Sequence, residues 1–112
     1  MIKINVYLDD VRKCPKGFIL ARTAEEALKL IREGHVAVLS LDHDLGINEQ
    51  GKERLTGYDL VKIFCEEGLY VDEVYMHTDN VVGRNNMYET LLAAQRRGFI
   101  SKNIKIRHYP IR

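Results

Sequence analysis

The sequence predicts an α/β protein built on an open, mostly parallel sheet of about five strands. Apolar runs of strand length alternate along the chain with segments of helical periodicity, and polar side chains gather where the strands end. The 112 residues fit a single domain, 1–112. With 46% hydrophobic and 29% charged residues, the composition is that of a folded protein, which excludes a disordered tail, a fibre and a repeat array.

The first two strand candidates are separated by a short loop. Residues 2–8 alternate apolar and polar side chains, which predicts a strand, and residues 11–17 contain a proline and a glycine, which favour a loop. Residues 18–22 are a short second strand candidate. A parallel crossover normally takes about a dozen residues or more. We therefore expect the second segment to be an antiparallel edge strand or no strand, and the helix after the first strand to be missing or reduced.

Capping signals predict three helices. Residues 23–26 (Thr-Ala-Glu-Glu) form a capping box, in which the threonine accepts a hydrogen bond from an early helix amide, and Gly34 ends this helix. Residues 56–59 (Thr-Gly-Tyr-Asp) begin a second helix in a similar way. Residues 83–86 are expected to open a third helix, which ends at Gly98.

Three further segments have the pattern of strands. Residues 36–41 are mostly apolar, which is typical of a strand buried on both faces of a parallel sheet. Residues 73–76 and 104–109 are the other two, and Pro110 stops the last one. Residues 45–55 are predicted to form a long, polar, mobile loop.

The predicted strands end in side chains that can carry chemistry. In an open parallel sheet, ligands bind outside the carboxyl ends of the strands, near the point where the strand order switches. We therefore expect the functional site at this edge of the sheet. The residues that follow the predicted strands are Asp9, Asp10, Asp42, His43, Asp44, His77, Thr78, Asp79 and His108.

Three of these carboxylates, those of Asp9, Asp10 and Asp42, predict a metal site. They repel one another unless a cation lies between them, and a hard divalent ion such as Mg²⁺ or Mn²⁺ suits oxygen ligands. The alternative is that Asp9 and Asp10 cap a turn, as short acidic side chains readily do.

The start of the third helix predicts a phosphate site. Gly83, Arg84 and Asn85 would offer free backbone amides, the positive end of a helix dipole and a guanidinium group. Since glycine and asparagine begin many helices that bind no anion, the alternative is an ordinary helix start.

Charge and cysteine content limit the partners and the compartment. Seventeen basic and sixteen acidic residues give a net charge of +1, which does not indicate binding to long nucleic acid. No apolar run approaches the roughly 20 residues that span a bilayer, and the first residues lack the pattern of a signal peptide. We expect a cytoplasmic protein in which Cys14 and Cys65 are reduced and structural, although the two thiols could form one bridge.

Several of these residues together resemble the receiver domain of response regulators. The resemblance rests on the acidic pair Asp9 and Asp10 after the first strand, on Asp42 after the third and on Thr78 after the fourth. It implies a flavodoxin-like fold with strand order 2-1-3-4-5, helices on both faces, Mg²⁺ held by the carboxylates and phosphorylation of Asp42. The sequence departs from the family in two features. It leaves no room for the helix that receivers have after the acidic pair, and it lacks the lysine that receivers carry just before a proline, which here would be Pro110.

A more specific set of motifs is similar to a subfamily described as cyclic-phosphate-processing receiver domains. The resemblance implies action on cyclic phosphate ends of RNA or nucleotides. The motifs are Leu-Asp-Asp-Val-Arg at 8–12, Ser-Leu-Asp-His-Asp-Leu-Gly at 40–46, Thr-Gly-Tyr-Asp at 56–59 and Val-Gly-Arg-Asn-Asn-Met at 82–87.

The leading hypothesis is therefore a small phosphoesterase that acts on a cyclic phosphate with a divalent cation. Opening a cyclic phosphate needs a base and an acid, and two histidines can supply both. The alternatives are a receiver phosphorylated on Asp42 and a non-catalytic nucleotide- or phosphate-binding module; for His108, packing against Tyr109 is also open. The expected roles are metal binding by Asp9, Asp10 and Asp42, phosphate binding by Thr78, Gly83, Arg84 and Asn85, and catalysis by Asp42, His43, His77 and His108.

Overall fold

The computed structural model describes residues 2–111 and contains a five-stranded sheet and three helices. All neighbouring strands are parallel, in the order β2-β1-β3-β4-β5, which confirms the predicted flavodoxin-like sheet. The strands are β1 (Ile4–Leu8), β2 (Phe18–Ala21), β3 (Val36–Leu41), β4 (Glu73–Met76) and β5 (Lys105–Ile106), and the helices are α1 (Ala24–Arg32), α2 (Gly57–Glu67) and α3 (Val81–Arg96).

The second strand is parallel to the first, so the expectation of an antiparallel edge or of no strand is wrong. Residues 5–8 of β1 pair in register with residues 18–21 of β2. A four-residue strand is only about 13 Å long, and nine extended residues reach about 30 Å, so residues 9–17 can return to the start of the next strand without a helix. The absence of a helix after the first strand is confirmed.

The three helices pack side by side on one face of the sheet, with α2 between α1 and α3. This differs from the predicted arrangement with helices on both faces. The connections through α1, α2 and α3 all cross the sheet in the same direction, and right-handed crossovers of this kind lie on one face. The connection after β1 runs the other way and contains no helix. The strand residues buried under the helices include Val6, Leu8, Leu39, Leu41, Val74 and Met76.

The helix starts follow their caps. The side chains of Thr23 and Thr56 accept hydrogen bonds from the third amide of α1 and α2, as predicted. Asp59 completes the capping box of α2, whereas the box predicted for α1 is incomplete because the carboxylate of Glu26 accepts from the amide of Arg22 and not from that of Thr23. Helix α3 is capped by Asn80 and begins at Val81, before the predicted start at Gly83.

Residues 45–55 contain no helix and none of the strands β1 to β5, but they fold back on themselves. Ile47 and Glu53 form an isolated antiparallel bridge, and the side chain of Leu45 is buried in the core. This segment, called the 45–55 hairpin below, therefore has a fixed base beside the end of β3. Among the described residues, no helix has both the length and the apolar character needed to cross a membrane.

Candidate metal and phosphate site

The ends of three neighbouring strands bring Asp9, Asp42 and His77 together. One ligand atom from each residue lies within 4.8 Å of the other two. The sheet ladder positions them: the amide of Asp42 donates to the carbonyl of Leu8, and the amide of His77 donates to that of Leu41, both at 3.0 Å. The cluster thus lies at the carboxyl edge of the sheet, where the strand order switches.

Asp9 is fully buried and hydrogen-bonded at both carboxylate oxygens. Its Oδ1 accepts from the amides of Val11 and Arg12 at 2.9 and 2.8 Å, and its Oδ2 accepts from Nε2 of His77 at 3.0 Å. Burial raises the pKa of Asp9, but the hydrogen bonds from the two amides and from His77 outweigh burial, and the pKa lies below its ordinary value. Asp9 is therefore ionised at neutral pH.

His77 is buried between Asp9, Ser40 and Tyr7. Its Nδ1 lies 2.7 Å from the hydroxyl of Ser40, and its ring stacks on Tyr7 with centroids 4.1 Å apart. Burial lowers the pKa of His77 although Asp9 raises it, and the net shift is downward. The neutral ring donates from Nε2 to Asp9 and accepts from Ser40 at Nδ1. This geometry indicates that His77 positions the carboxylate of Asp9. The proton transfer predicted for His77 stays a prediction.

Asp42 is the more exposed carboxylate of the cluster. Burial raises its pKa, the amide of His43 lowers it by donating at 2.8 Å, and the charges of Asp9 and Asp10 raise it again, so that the pKa lies above its ordinary value. The hydroxyl of Thr78 lowers the pKa of Asp42, which places Thr78 beside the carboxylate. A cation between these carboxylates would relieve their repulsion. Carboxylate oxygens are the donors that a hard divalent ion prefers, so the residues present fit such an ion.

Asp10 lies beside the cluster formed by Asp9, Asp42 and His77. A Cβ atom at Gly46 would come 3.0 Å from Oδ2 of Asp10, which places the carboxylate against the base of the 45–55 hairpin. Its charge raises the pKa of Asp42, so the two carboxylates interact. The predicted role of Asp10 as a metal ligand stays a prediction.

His43 packs under the first turn of α3. A Cβ atom at Gly83 would lie 2.4 Å from the His43 ring, so only glycine permits this approach. Nδ1 of His43 lies 2.9 Å from Oδ1 of Asp44, and this hydrogen bond lowers the pKa of Asp44. The ring is thereby held between Asp44 and the first turn of α3.

Gly57 holds the start of α2 against the same loop. Its amide donates to the carbonyl of His43 at 2.8 Å, and a Cβ atom here would lie 2.0 Å from the carbonyl oxygen of Asp42. Glycine is therefore needed in the motifs at 56–59 and 82–87 for the same reason: each glycine lets a helix approach the segment that follows β3.

The predicted free amides at the start of α3 are not free. The side chain of Asn80 accepts from the amide of Gly83 at 2.8 Å, and the carbonyl of Asn80 accepts from the amide of Arg84 at 2.8 Å. That part of the phosphate-site prediction is wrong because the helix begins two residues earlier, at Val81 rather than Gly83. The predicted phosphate-binding roles of Thr78, Arg84 and Asn85 through their side chains stay predictions.

His108 is exposed and follows β5. Its ring packs edge-on against Tyr88 and Tyr109, with centroids 5.1 and 5.6 Å away. Within residues 2–111, no hydrogen bond or ring contact joins it to His77. The packing against Tyr109 that the sequence left open is thus observed, and a catalytic role for His108 stays a prediction.

Comparison with protein families settles what these motifs represent. A family model described as a cyclic-phosphate processing receiver domain matches residues 4–93. The chain belongs to this family. The matched residues of this cyclic-phosphate processing receiver domain include Asp9, Asp42 and His77, whereas His108 lies outside them. Searches of curated proteins and of solved structures found no match.

Three residues of the receiver domain that contact the cluster escaped the sequence-based prediction. Arg12 donates to the carbonyl of His77 at 3.0 Å, Arg22 donates to the carbonyl of Asp9 at 3.3 Å, and Ser40 binds His77. Arg12 and Ser40 lie inside the motifs at 8–12 and 40–46, which was the available signal. Their partners are distant in sequence, so only the strand order brings them together.

Proposed function

We propose that this receiver domain is a metal-dependent phosphoesterase that opens the cyclic phosphate of an RNA end or of a nucleotide. The observation that carries the proposal is the convergence of Asp9, Asp42 and His77 at the carboxyl edge of the sheet, in a chain of this family. Asp9 and Asp42, with Asp10 as the sequence predicts, would hold Mg²⁺ or Mn²⁺. The ion would supply positive charge to polarise the phosphoryl oxygens.

The protein residues around the cluster divide into supporting and reacting groups. His77 orients Asp9 from a buried position, and Thr78 orients Asp42. His43 is the better candidate for proton transfer, because its Nδ1 is held by Asp44 while its Nε2 makes no hydrogen bond among residues 2–111. In the proposed reaction, water forms a new bond to phosphorus, His43 takes a proton from this water, and the ring oxygen that leaves phosphorus takes a proton from solvent.

Hydrolysis of a 2′,3′-cyclic nucleotide with Mg²⁺, followed by ³¹P NMR, tests this proposal. We expect a linear phosphomonoester from the wild type, and a loss of roughly 10²–10⁴-fold in turnover for His43→Ala. Asp42→Asn should also lose activity, whereas Asp72→Asn, at the opposite edge of the sheet, should retain it. No product from the wild type would contradict the proposal, and wild-type turnover by His43→Ala would contradict the role of His43.

The receiver alternative has one observation in its favour, because Asp42 lies beside Thr78 as in that resemblance. The lysine before Pro110 is absent, however, so a phosphoryl group on Asp42 would lack this cation. We expect no stable mass increase when the protein is incubated with acetyl phosphate and Mg²⁺. A phosphoryl adduct that disappears in Asp42→Asn would favour the signalling receiver. A cyclic nucleotide that binds to the protein without being opened would favour the non-catalytic binding module.

The proposed site of action is the cytoplasm. Cys14 and Cys65 are both free thiols, and unpaired cysteines are typical of reducing compartments. Fractionation of cells that express the protein at native level would test this, with recovery in a secreted or membrane fraction as the contrary result.

A further inference from the structure

An open cavity lies between the start of α1 and the 45–55 hairpin, next to the acidic cluster. Its volume is about 440 Å³, within the range of roughly 300–1,000 Å³ that is typical of ligand sites. Asp9, Asp42 and His77 are not part of its lining, so the cavity is a neighbour of the cluster. Its lining consists of Asp10, Arg22, Thr23, Leu45, Gly46, Ile47 and Arg54.

Two guanidinium groups give this cavity its character. Within residues 2–111, neither Arg22 nor Arg54 forms an ion pair with a carboxylate, whereas Arg12 and Arg32 do. Nη1 of Arg22 is anchored by the carbonyls of Asp9 and Arg12 at 3.3 and 3.0 Å, which leaves its other nitrogens available. Arginine binds phosphate through paired hydrogen bonds, and a guanidinium fixed in place loses little freedom on binding.

Apart from the carboxylate of Asp10, the neighbouring residues support an anionic occupant. The backbone of Arg54 is fixed in the 45–55 hairpin because its amide donates to the carbonyl of Gly46 at 3.0 Å. Thr23 accepts a hydrogen bond from the amide of Glu26 and retains its own hydroxyl proton as a donor. Leu45 and Ile47 supply apolar surface on the same wall.

We propose that this cavity binds a second phosphate group of the ligand, the one carried on the 5′ side of the nucleotide that ends in the cyclic phosphate. Asp10 connects the two places, since it lines the cavity and its charge acts on Asp42. A ligand that spans both would put its cyclic phosphate at Asp42 and its 5′ phosphate at Arg22 and Arg54. The inference rests on the proposed function and deepens it: the substrate class is a 5′-phosphorylated nucleotide or an RNA end, in preference to a cyclic nucleoside phosphate alone.

Calorimetric titration with adenosine 2′,3′-cyclic phosphate, with and without a 5′ phosphate, tests this site in a His43→Ala background, which should bind these ligands without opening them. We expect the 5′ phosphate to tighten binding in this background by roughly tenfold to a hundredfold, as for hydrogen bonds to charged groups. Arg22→Gln and Arg54→Gln should each lose most of this gain, and the exposed control Arg97→Gln should keep it. Since the Arg54 side chain makes no hydrogen bond among residues 2–111, Arg54→Gln remains informative if Arg22→Gln unfolds. An equal affinity for both ligands in the His43→Ala background, or a gain that both arginine variants retain there, would overturn the proposal.

A second titration separates this inference from the proposed function. Adenosine 5′-monophosphate and adenosine carry no cyclic phosphate, so they probe the cavity alone. We expect only the monophosphate to bind, in a manner that depends on Arg22 and Arg54. If this result is found in a protein that does not open cyclic phosphates, the cavity is supported and only the proposed function fails. If cyclic phosphates are opened but the monophosphate binds no better than adenosine, the cavity proposal is the one that fails.

Discussion

The imidazole of His77 and the carboxylate of Asp9 are joined by a hydrogen bond of 3.0 Å in a region closed to solvent. The second ring nitrogen of His77 is paired with Ser40 at 2.7 Å, so the ring is fixed at both ends. Metal-binding carboxylates gain rigidity from hydrogen-bonded neighbours of this kind. The pair thus holds one half of the candidate metal site in place before any ligand arrives.

His77→Ala should lower the free energy of unfolding by about 3 kcal/mol, because it removes a buried ring together with its hydrogen bonds to Oδ2 of Asp9 and to the hydroxyl of Ser40. Urea denaturation followed by circular dichroism measures this loss. The control His108→Ala removes an exposed ring and should cost about 0.5 kcal/mol or less. Equal losses for the two variants would show that the buried pair has no special role.

The contact between Gly83 and His43 predicts that the effect of Gly83→Ala on stability changes sign when the His43 ring is removed. In the wild type, Gly83→Ala should destabilise the protein, since the new Cβ atom would overlap the His43 ring. In a His43→Ala background the obstacle is absent, and the same change should stabilise α3 by about 1 kcal/mol through helix propensity. Thermal unfolding of the four proteins measures the coupling, and an identical effect of Gly83→Ala in both backgrounds would contradict it.

Asp59 should make the protein lose stability in acid. The amide of Thr56 lowers its pKa, and this outweighs the opposing effect of burial. In the unfolded chain the pKa of Asp59 has its ordinary value of about 3.9. Around and below this pH, the unfolded chain therefore binds more protons than the folded chain does. The stabilisation by the ionised Asp59 is complete at pH values well above this ordinary pKa. It is lost as the pH falls through the ordinary pKa towards the lower pKa of the folded protein. The stability difference between wild type and Asp59→Asn should thus shrink as the pH falls from about 6 to below the ordinary pKa of about 3.9; a constant difference would refute this.

Cys65 should be a poor nucleophile. Burial, with a smaller effect of Glu66, raises the pKa of its thiol from 9.0 to about 11. The thiolate fraction at pH 8 is then roughly a hundredfold below that of an unshifted thiol. In a Cys14→Ser protein, alkylation by iodoacetamide should be slow at pH 8 and accelerate up to about pH 11. Rapid labelling of the folded protein at pH 8 would contradict this.

Mg²⁺ should stabilise the protein through Asp42. At about ten times its dissociation constant, a bound ion adds about 1.4 kcal/mol, which is a rise of about 5 °C in the melting temperature of a domain of this size. Asp42→Asn should abolish most of the rise and Asp72→Asn should leave it intact. Because the pKa of Asp42 is raised, the rise should also diminish as the pH is lowered. An undiminished rise in Asp42→Asn would move the metal site elsewhere.

Local signals were sufficient for much of the fold. The threonine caps predicted the starts of α1 and α2, and the apolar run at 36–41 predicted β3. The direction of β2 could not be read in this way, since a nine-residue return without a helix is an unusual crossover. The start of α3 was misplaced because Asn80, and not a residue nearer Gly83, provides the cap.

The site was predictable to a lesser degree. The carboxyl edge of the sheet was correctly expected to collect Asp9, Asp42 and His77, because the rule for parallel sheets depends only on strand direction. The pairing of His77 with Ser40 depends on which face of the sheet each side chain occupies and on the register between β3 and β4. Those are long-range relationships, and no local pattern in the sequence contains them.

The most direct test of the central claim is a calorimetric titration of a 2′,3′-cyclic nucleotide into the His43→Ala protein, which should bind this ligand without opening it, once with Mg²⁺ and once with EDTA. If Asp9 and Asp42 hold a cation that receives the cyclic phosphate, saturable binding will appear with Mg²⁺ and disappear with the chelator. Adding Asp42→Asn to this protein will then give, with Mg²⁺, the result that the His43→Ala protein gives with EDTA. Binding of equal strength with and without the metal, or no binding under either condition, would contradict the account.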